Sequence, residues 1–252
     1  MNDYNFKEEE IPFDTLGRFG LTKEMIADLP SSILEEITYG YRSPLLPVSM
    51  TDDEERTINS RTRFALVRME DGSVDVVFFP KLEVNPLERF TEEQKAQLRM
   101  YKPIIGTMQT EDGESITAFH QLDHETDQIL SVPSPVIGHN MQVLAETFRL
   151  SNAEINCLKN GEPLSVIEDD DMYTFGIDLE RQTGILVVDG DTKQWEKERK
   201  RQYEKYNFGV FGCWMTDDNG DLQYVKEENY TEEMWEEMKK NGAKRAAVTH
   251  KM

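Results

Sequence analysis

Two stretches of this chain carry the same order of apolar and polar positions. Thr91 to Val132 reads TEEQKAQLRMYKPIIGTMQTEDGESITAFHQLDHETDQILSV, and Ser151 to Val188 reads SNAEINCLKNGEPLSVIEDDDMYTFGIDLERQTGILVV. Each opens on a capping box, Thr91 with Gln94 and Ser151 with Glu154, in which hydroxyl and longer side chain each satisfy a free N–H. Leu98 then aligns with Leu158, Pro103 with Pro163, Asp123 with Asp178 and Thr126 with Thr183. Ser32 to Phe79 is a fainter copy, with Ser32 and Glu35 as the box, Ile37 at the Leu158 position and Pro44 two residues late. A repeat with a period of about 60 residues is a statement about architecture before function. Each copy predicts a helix, a turn and three short strands. Such a helix and a small hairpin are both marginal alone, so each unit should bury its apolar face on a neighbour.

The strands are read from alternation and turn residues. Arg61 to Arg68, RTRFALVR, puts Thr62, Phe64, Leu66 and Arg68 on one face and Arg61, Arg63, Ala65 and Val67 on the other. Asp71-Gly72, Asp112-Gly113 and Asn219-Gly220 are hairpin turns, the last expected as type I′. Asp169-Asp170-Asp171 is the turn of the third copy. Pro44 and Pro47 make an edge strand, and a connecting helix is expected over Asn140–Phe148. A helix is expected over Lys193–Lys205, then strands at Asn207–Met215 and Asp221–Val225. Thr231 caps a last helix that Gly242 ends.

The fold class is therefore α+β: tandem small αβββ units with antiparallel sheets, plus a C-terminal helix–hairpin–helix segment. The expected organisation is an acidic tail at 1–14, a first unit at 15–89, a second with its connecting helix at 90–149, a third at 150–190, and a C-terminal segment at 191–252 ending in a basic tail.

Composition narrows the class. The 252 residues are 38% hydrophobic, enough for real cores and too apolar for a disordered chain. No apolar run reaches a membrane span, and the first residues lack the apolar core of a secretory signal. Cys157 and Cys213 lie far apart, outside any metal or disulfide spacing, so a reducing cytoplasm is expected. The net charge of −21 disfavours broad phosphate binding and favours a basic protein partner.

Candidate chemistry is sparse. His120 and His124 are four apart, but on a strand and turn they diverge, and the third copy has neither. Asp217, Asn219, Asp221 and Glu228 fall at calcium-loop spacing, yet Leu222 stands where that loop needs glycine. No metal, no cofactor and no catalytic residue is assigned, since the familiar catalytic and phosphate-binding motifs are missing. Two groups are candidates for nucleic-acid or partner contact. One is basic: Arg61 and Arg63 on the first hairpin, Lys197, Arg199, Lys200 and Arg201 on the predicted helix, and Lys244 and Arg245 in the tail. The other is aromatic: Phe211 and Trp214 in the last hairpin, placed as a stacking platform would be.

Four runs, LPSSILEEITYGYRSPLLPVSM, SRTRFALVRMEDGSVDVVFFP, VPSPVIGHNMQVLAETFRLSNAEINCLKNGEPL and YNFGVFGCWMTDD, carry a resemblance over nearly the whole chain from Leu21. In them the chain resembles a family of domain-of-unknown-function proteins. These are encoded on integrative and conjugative elements of anaerobic gut bacteria, often near topoisomerase and mobilisation genes. The resemblance implies a cytoplasmic protein tied to a mobile element and carries over no activity. The expectation is a non-catalytic accessory or protein-interaction protein. The alternatives are a nucleic-acid-binding accessory of conjugation or excision, with weak binding, an acidic DNA-mimicking inhibitor of a host defence enzyme, and an enzyme without a familiar motif. The pattern does not set an oligomeric state.

Overall fold

The computed structural model describes residues 6–51, 56–82, 87–181, 183–200 and 203–249, with side chains to residue 241. Two short helices lead: α1 (Phe13–Arg18) and α2 (Lys23–Ala27), the second capped by Thr22, whose hydroxyl accepts the Met25 N–H. The αβββ order then recurs. It runs α3 (Ser31–Thr38) with β1 (Leu46–Thr51), β2 (Thr57–Arg68) and β3 (Val74–Pro80), then α4 (Glu92–Arg99) with β4 (Ile104–Gln109), β5 (Ser115–Leu122) and β6 (Ile129–Pro133). After α5 (Ser134–Phe148) come α6 (Asn152–Lys159), β7 (Leu164–Glu168), β8 (Asp171–Ile177) and β9 (Ile185–Asp189). Last come α7 (Thr192–Arg199), β10 (Tyr206–Phe208), β11 (Gly212–Thr216), β12 (Leu222–Lys226) and α8 (Glu232–Thr249). The strands make four three-stranded antiparallel meanders.

Equivalent positions do equivalent work. The boxes of α4 and α6 form as expected, Thr91 with Gln94 and Ser151 with Glu154. Ile37, Leu98 and Leu158 are all buried. Three residues after each, the chain turns left-handed at Gly40, Tyr101 and Gly161. Ser32 and Glu35 do not form their box, because α3 starts two residues early with Pro30 at its cap.

Contacts divide the chain into two units. The first joins Met1–Pro80 to Gln202–Met252. Leu16, Leu21, Ile26 and Ile37 pack with Phe64 and Leu66 of β2 and with Trp214 and Leu222 of the last sheet. The fourth meander therefore completes the core of the first. Phe6 and Ile11 join this core, so the stretch expected as an acidic tail is packed from residue 6. The Phe6 N–H reaches the Thr38 carbonyl (2.7 Å), and Glu10 pairs with Arg68 (3.0 Å).

The second unit is Lys81–Arg201. Phe119, Leu130, Ile137, Met141, Leu158, Phe175 and Ile177 form its main core beneath α5. Helix α7 lies on β8 and β9, with the Trp195 ring where a side chain at Gly176 would go and its indole N–H donating to the Leu186 carbonyl (3.0 Å). Lys102 and Glu162, each directly before the aligned prolines, pair with one another at 2.8 Å. A contact between equivalent positions is what a two-fold relation between two copies produces.

Some element bounds also need correction. The helix expected to reach Lys205 stops at Arg199, with Lys200 already extended. The strand expected over Asn207–Met215 is two strands with a turn between them. Gly242 does not end the last helix, which continues to Thr249. The type I′ turn is also placed differently: at Asn219-Gly220 only the glycine has a positive φ, whereas Asp169 and Asp170 both do, at 51° and 71°. Among the described residues, no helix is long and apolar enough to cross a membrane.

Candidate functional site

A cluster of titratable groups lies in the second unit, where β5 and β8 each run into an aspartate. Asp123 and Asp178 are both buried and do the same local job, accepting the N–H two residues on, from Glu125 (2.9 Å) and Glu180 (3.2 Å). Thr126 and Thr183 follow as hydroxyl acceptors for Gln128 and Ile185. Two side chains then tie one copy to the other. Gln121 donates to Asp178 (3.1 Å) and accepts the Leu179 N–H (2.9 Å). His124 Nδ1 meets Glu180 Oε1 at 2.7 Å.

Burial pushes the Asp178 carboxyl up, and the nearby Glu180 charge adds to it. Arg199, Arg181 and the Gln121 hydrogen bond work the other way without cancelling the rise. Burial works against the His124 cation, but the Glu180 bond and the charges of Glu180, Glu125 and Asp123 outweigh it and hold the imidazole above its usual value.

Asp123, His124 and Glu180 bring ligand atoms within 4.8 Å of one another. Mixed imidazole and carboxylate donors suit zinc or manganese. A cation here must first separate His124 from Glu180 and remove the proton that the surrounding carboxylates favour, so metal binding and the ion pair compete. His120 takes no part: it is buried with Nδ1 on Ser131 (2.7 Å), and burial, then the charge of Arg89, lowers its pKa. The two histidines thus face different partners, as expected on a strand and turn.

Among the described residues, the candidate contact residues have unlike surroundings. Arg63 is buried (1% exposed) with its Nε on the Ser43 carbonyl (2.8 Å), and Trp214 is equally buried with its indole N–H on the Met25 carbonyl (2.8 Å). Both belong to the core of the first unit, where β2 is covered on both faces, so neither is a surface contact. Arg61 donates to the Leu222 carbonyl (2.9 Å) and lies 3.5 Å from Asp221 and 4.0 Å from Asp217. This answers the acidic turn that resembled a calcium loop. Lys197 and Lys200 are exposed, while Arg199 is half-buried with its guanidinium 5.4 Å from the Trp195 ring. Arg201 and the side chains of Lys244 and Arg245 lie outside the described residues. Phe211 alone of the aromatic pair stands in solvent, 51% exposed beside Val210 at 79%.

What holds that pair was not read from the pattern. Asp28, 2% exposed at the end of α2, accepts the Val210 N–H (2.6 Å), the Phe211 N–H (3.0 Å) and the Tyr224 hydroxyl (2.6 Å). Asn207 adds a bond to the Asp28 carbonyl (3.0 Å). A side chain at Gly209 would overlap the Asp28 carboxyl, and one at Gly212 would meet the Tyr224 ring. Burial, then the Asp28 bond, raises the Tyr224 phenol well above its usual value.

A groove of about 370 Å³ lies along α5 and α6, lined by Met141, Ala145, Leu150 and Ile155, with Glu146 and Lys159 as its charged lining. None of the polar groups described above opens into it.

A family model described as "Protein of unknown function (DUF4099)" matches residues 6–89, a third of the chain. No curated protein and no solved structure matches the chain.

Proposed function

We propose that the chain is a non-catalytic protein-interaction component, an accessory protein of a bacterial mobile element acting in the cytoplasm. One observation carries the first part: the side chains best equipped for chemistry are committed to joints of the fold. His124 and Glu180 hold each other, Gln121 is spent on Asp178 and Leu179, and Asp28 clamps a distant hairpin. A general acid or base must reach a substrate proton, and the groove along α5 and α6 offers none of these groups. The net charge of −21 supports a basic partner, since like charge disfavours nucleic acid. The DUF4099 match over residues 6–89 supports the family resemblance, and the mobile-element context rests on that resemblance.

Affinity purification of the tagged chain from its natural host tests the proposal. One stoichiometric basic protein is expected, with binding that reconstitutes from purified components and weakens with salt. Recovery of no stoichiometric protein, or of nucleic acid that survives about 150 mM salt, would overturn it.

A further inference from the structure

We propose that the Val210–Phe211 tip between β10 and β11 is a preformed docking knob for a protein partner. That partner presents an apolar socket rimmed by lysine and arginine. The inference rests on the protein-interaction reading above and deepens it.

Tight turns favour glycine, asparagine and aspartate, and the other tight hairpin turns described follow that rule. Their tips are Glu70-Asp71-Gly72, Glu111-Asp112-Gly113, Asp169-Asp170 and Asp218-Asn219-Gly220. The β10–β11 turn places valine and phenylalanine there instead, both exposed. The turn closes with the Gly209 N–H on the Gly212 carbonyl (2.8 Å). Neither Val210 nor Phe211 has a positive φ, so it is not one of the primed turns whose twist matches a hairpin.

Its conformation is imposed from outside. Asp28 binds both tip N–H groups, and Gly209 and Gly212 admit the carboxyl and the Tyr224 ring. The Phe211 carbonyl accepts the Glu227 N–H (3.3 Å). Two apolar side chains are thus held in water by a buried carboxylate, two glycines and a tyrosine. A rigid aromatic anchor loses little entropy on binding, which is how hot spots at interfaces are built.

Charge selects the occupant. A lipid surface that takes up an apolar tip is commonly anionic, and nucleic acid always is. A chain of −21 is repelled by both. Glu227 and Glu228 are exposed directly beside the tip, and the nearby Lys226 and Lys23 face Glu24. The complement is an apolar socket with a basic rim on a protein.

The test replaces Phe211 with the photo-crosslinker p-benzoylphenylalanine in the natural host, with Tyr39, 52% exposed in the same unit, as the control position. Irradiation is expected to join position 211, and not position 39, to one protein through a peptide that mixes apolar residues with lysine or arginine. With that protein purified, Phe211→Ser is expected to weaken binding about thirtyfold, and wild-type binding to weaken between about 50 and 300 mM salt. The Asp28 bonds at the tip are to backbone, so Phe211→Ser keeps them, and an unchanged circular dichroism spectrum confirms the fold. The inference falls if position 211 joins no protein, joins the same proteins as position 39, or joins lipid or nucleic acid. It also falls if the joined peptide is acidic, if salt leaves binding unchanged, or if Phe211→Ser binds as wild type. If affinity purification yields a stoichiometric partner that position 211 does not touch, the knob is wrong and the interaction reading stands. If no partner is recovered at all, both fall.

Discussion

Asp28→Ala is the perturbation that most directly tests how the first unit is closed. The Asp28 carboxylate, 2% exposed, receives three donors: two backbone N–H groups at 2.6 and 3.0 Å and the Tyr224 hydroxyl at 2.6 Å. Hydrogen bonds to a charged acceptor contribute about 1.5–3 kcal/mol each, and a buried donor left without a partner costs about 1–3 kcal/mol. Water can reach the half-buried Tyr224 more easily than the two amides, so Asp28→Ala should cost about 4 kcal/mol. Asp28→Asn keeps one carbonyl oxygen but loses the charge and one acceptor, and should cost about 2 kcal/mol. Tyr224→Phe removes one donor from a carboxylate that keeps two, and should cost about 1 kcal/mol. The double variant should then reveal a coupling of about 1–2 kcal/mol.

Urea unfolding followed by tryptophan fluorescence measures this, because Trp214 is buried in the same core. Hydrogen exchange at the Val210 and Phe211 amides localises it: both should be protected in the wild type and lose protection in Asp28→Ala. A cost for Asp28→Ala below about 1 kcal/mol, with both amides still protected, would show that the turn holds itself and that the clamp reasoning is wrong.

Three further outcomes are expected. His124 is held above its unfolded value of about 6.5, so its contribution is complete below that pH and lost as pH rises through the folded value. The stability gap between wild type and His124→Gln should therefore shrink from about pH 5.5 to about pH 8.5, and a gap that widens would reverse the sign of the argument. Because Zn²⁺ must break the His124–Glu180 bond, calorimetry at neutral pH should detect no sub-micromolar site; tight binding abolished by His124→Ala would contradict this. The Asp169 and Asp170 turn holds two non-glycine residues at positive φ, so Asp169→Asn with Asp170→Gly should raise stability by about 0.5–1 kcal/mol in thermal unfolding, and a loss would mean the aspartates have a partner there.

The features legible in the sequence were those whose cause is local. The boxes at Thr91 and Ser151 formed because donor and acceptor lie three residues apart and nothing competes. Ser32 failed because of Pro30, a rival only two residues away. Alternation in β2 separated its two faces correctly, but it carries no information on whether one face or both will be covered, and so Arg63 was placed in solvent. Asp28 was invisible for a different reason. Its partners Val210 and Tyr224 are 182 and 196 residues away, and no local pattern marks a buried acceptor for a turn that distant.

The meanders that share a core also share the chemistry of their second turn. The β2–β3 and β11–β12 turns, Met69–Ser73 and Asp217–Asp221, are closed in the same way. The first residue's N–H reaches the fifth residue's carbonyl, the glycine N–H returns to the first carbonyl, and the glycine φ is 85° or 82°. The corresponding turns after β5 and β8 instead use a buried aspartate and a threonine, at Asp123 with Thr126 and at Asp178 with Thr183. The first closure also recurs between β4 and β5, at Thr110–Glu114, so only the second hairpin of each meander differs: the two closed by glycine share the core around Phe64 and Trp214, and the two closed by aspartate and threonine share the core around Phe119 and Phe175. Each meander has an apolar face to bury against a neighbour, and here the two meanders of each pair have like second turns. Chain order would pair each copy with the next; the cores instead pair the second with the third and the first with the last. That second pairing brings Tyr224 and the β10–β11 turn to Asp28, and so places the exposed Val210–Phe211 tip on a rigid base.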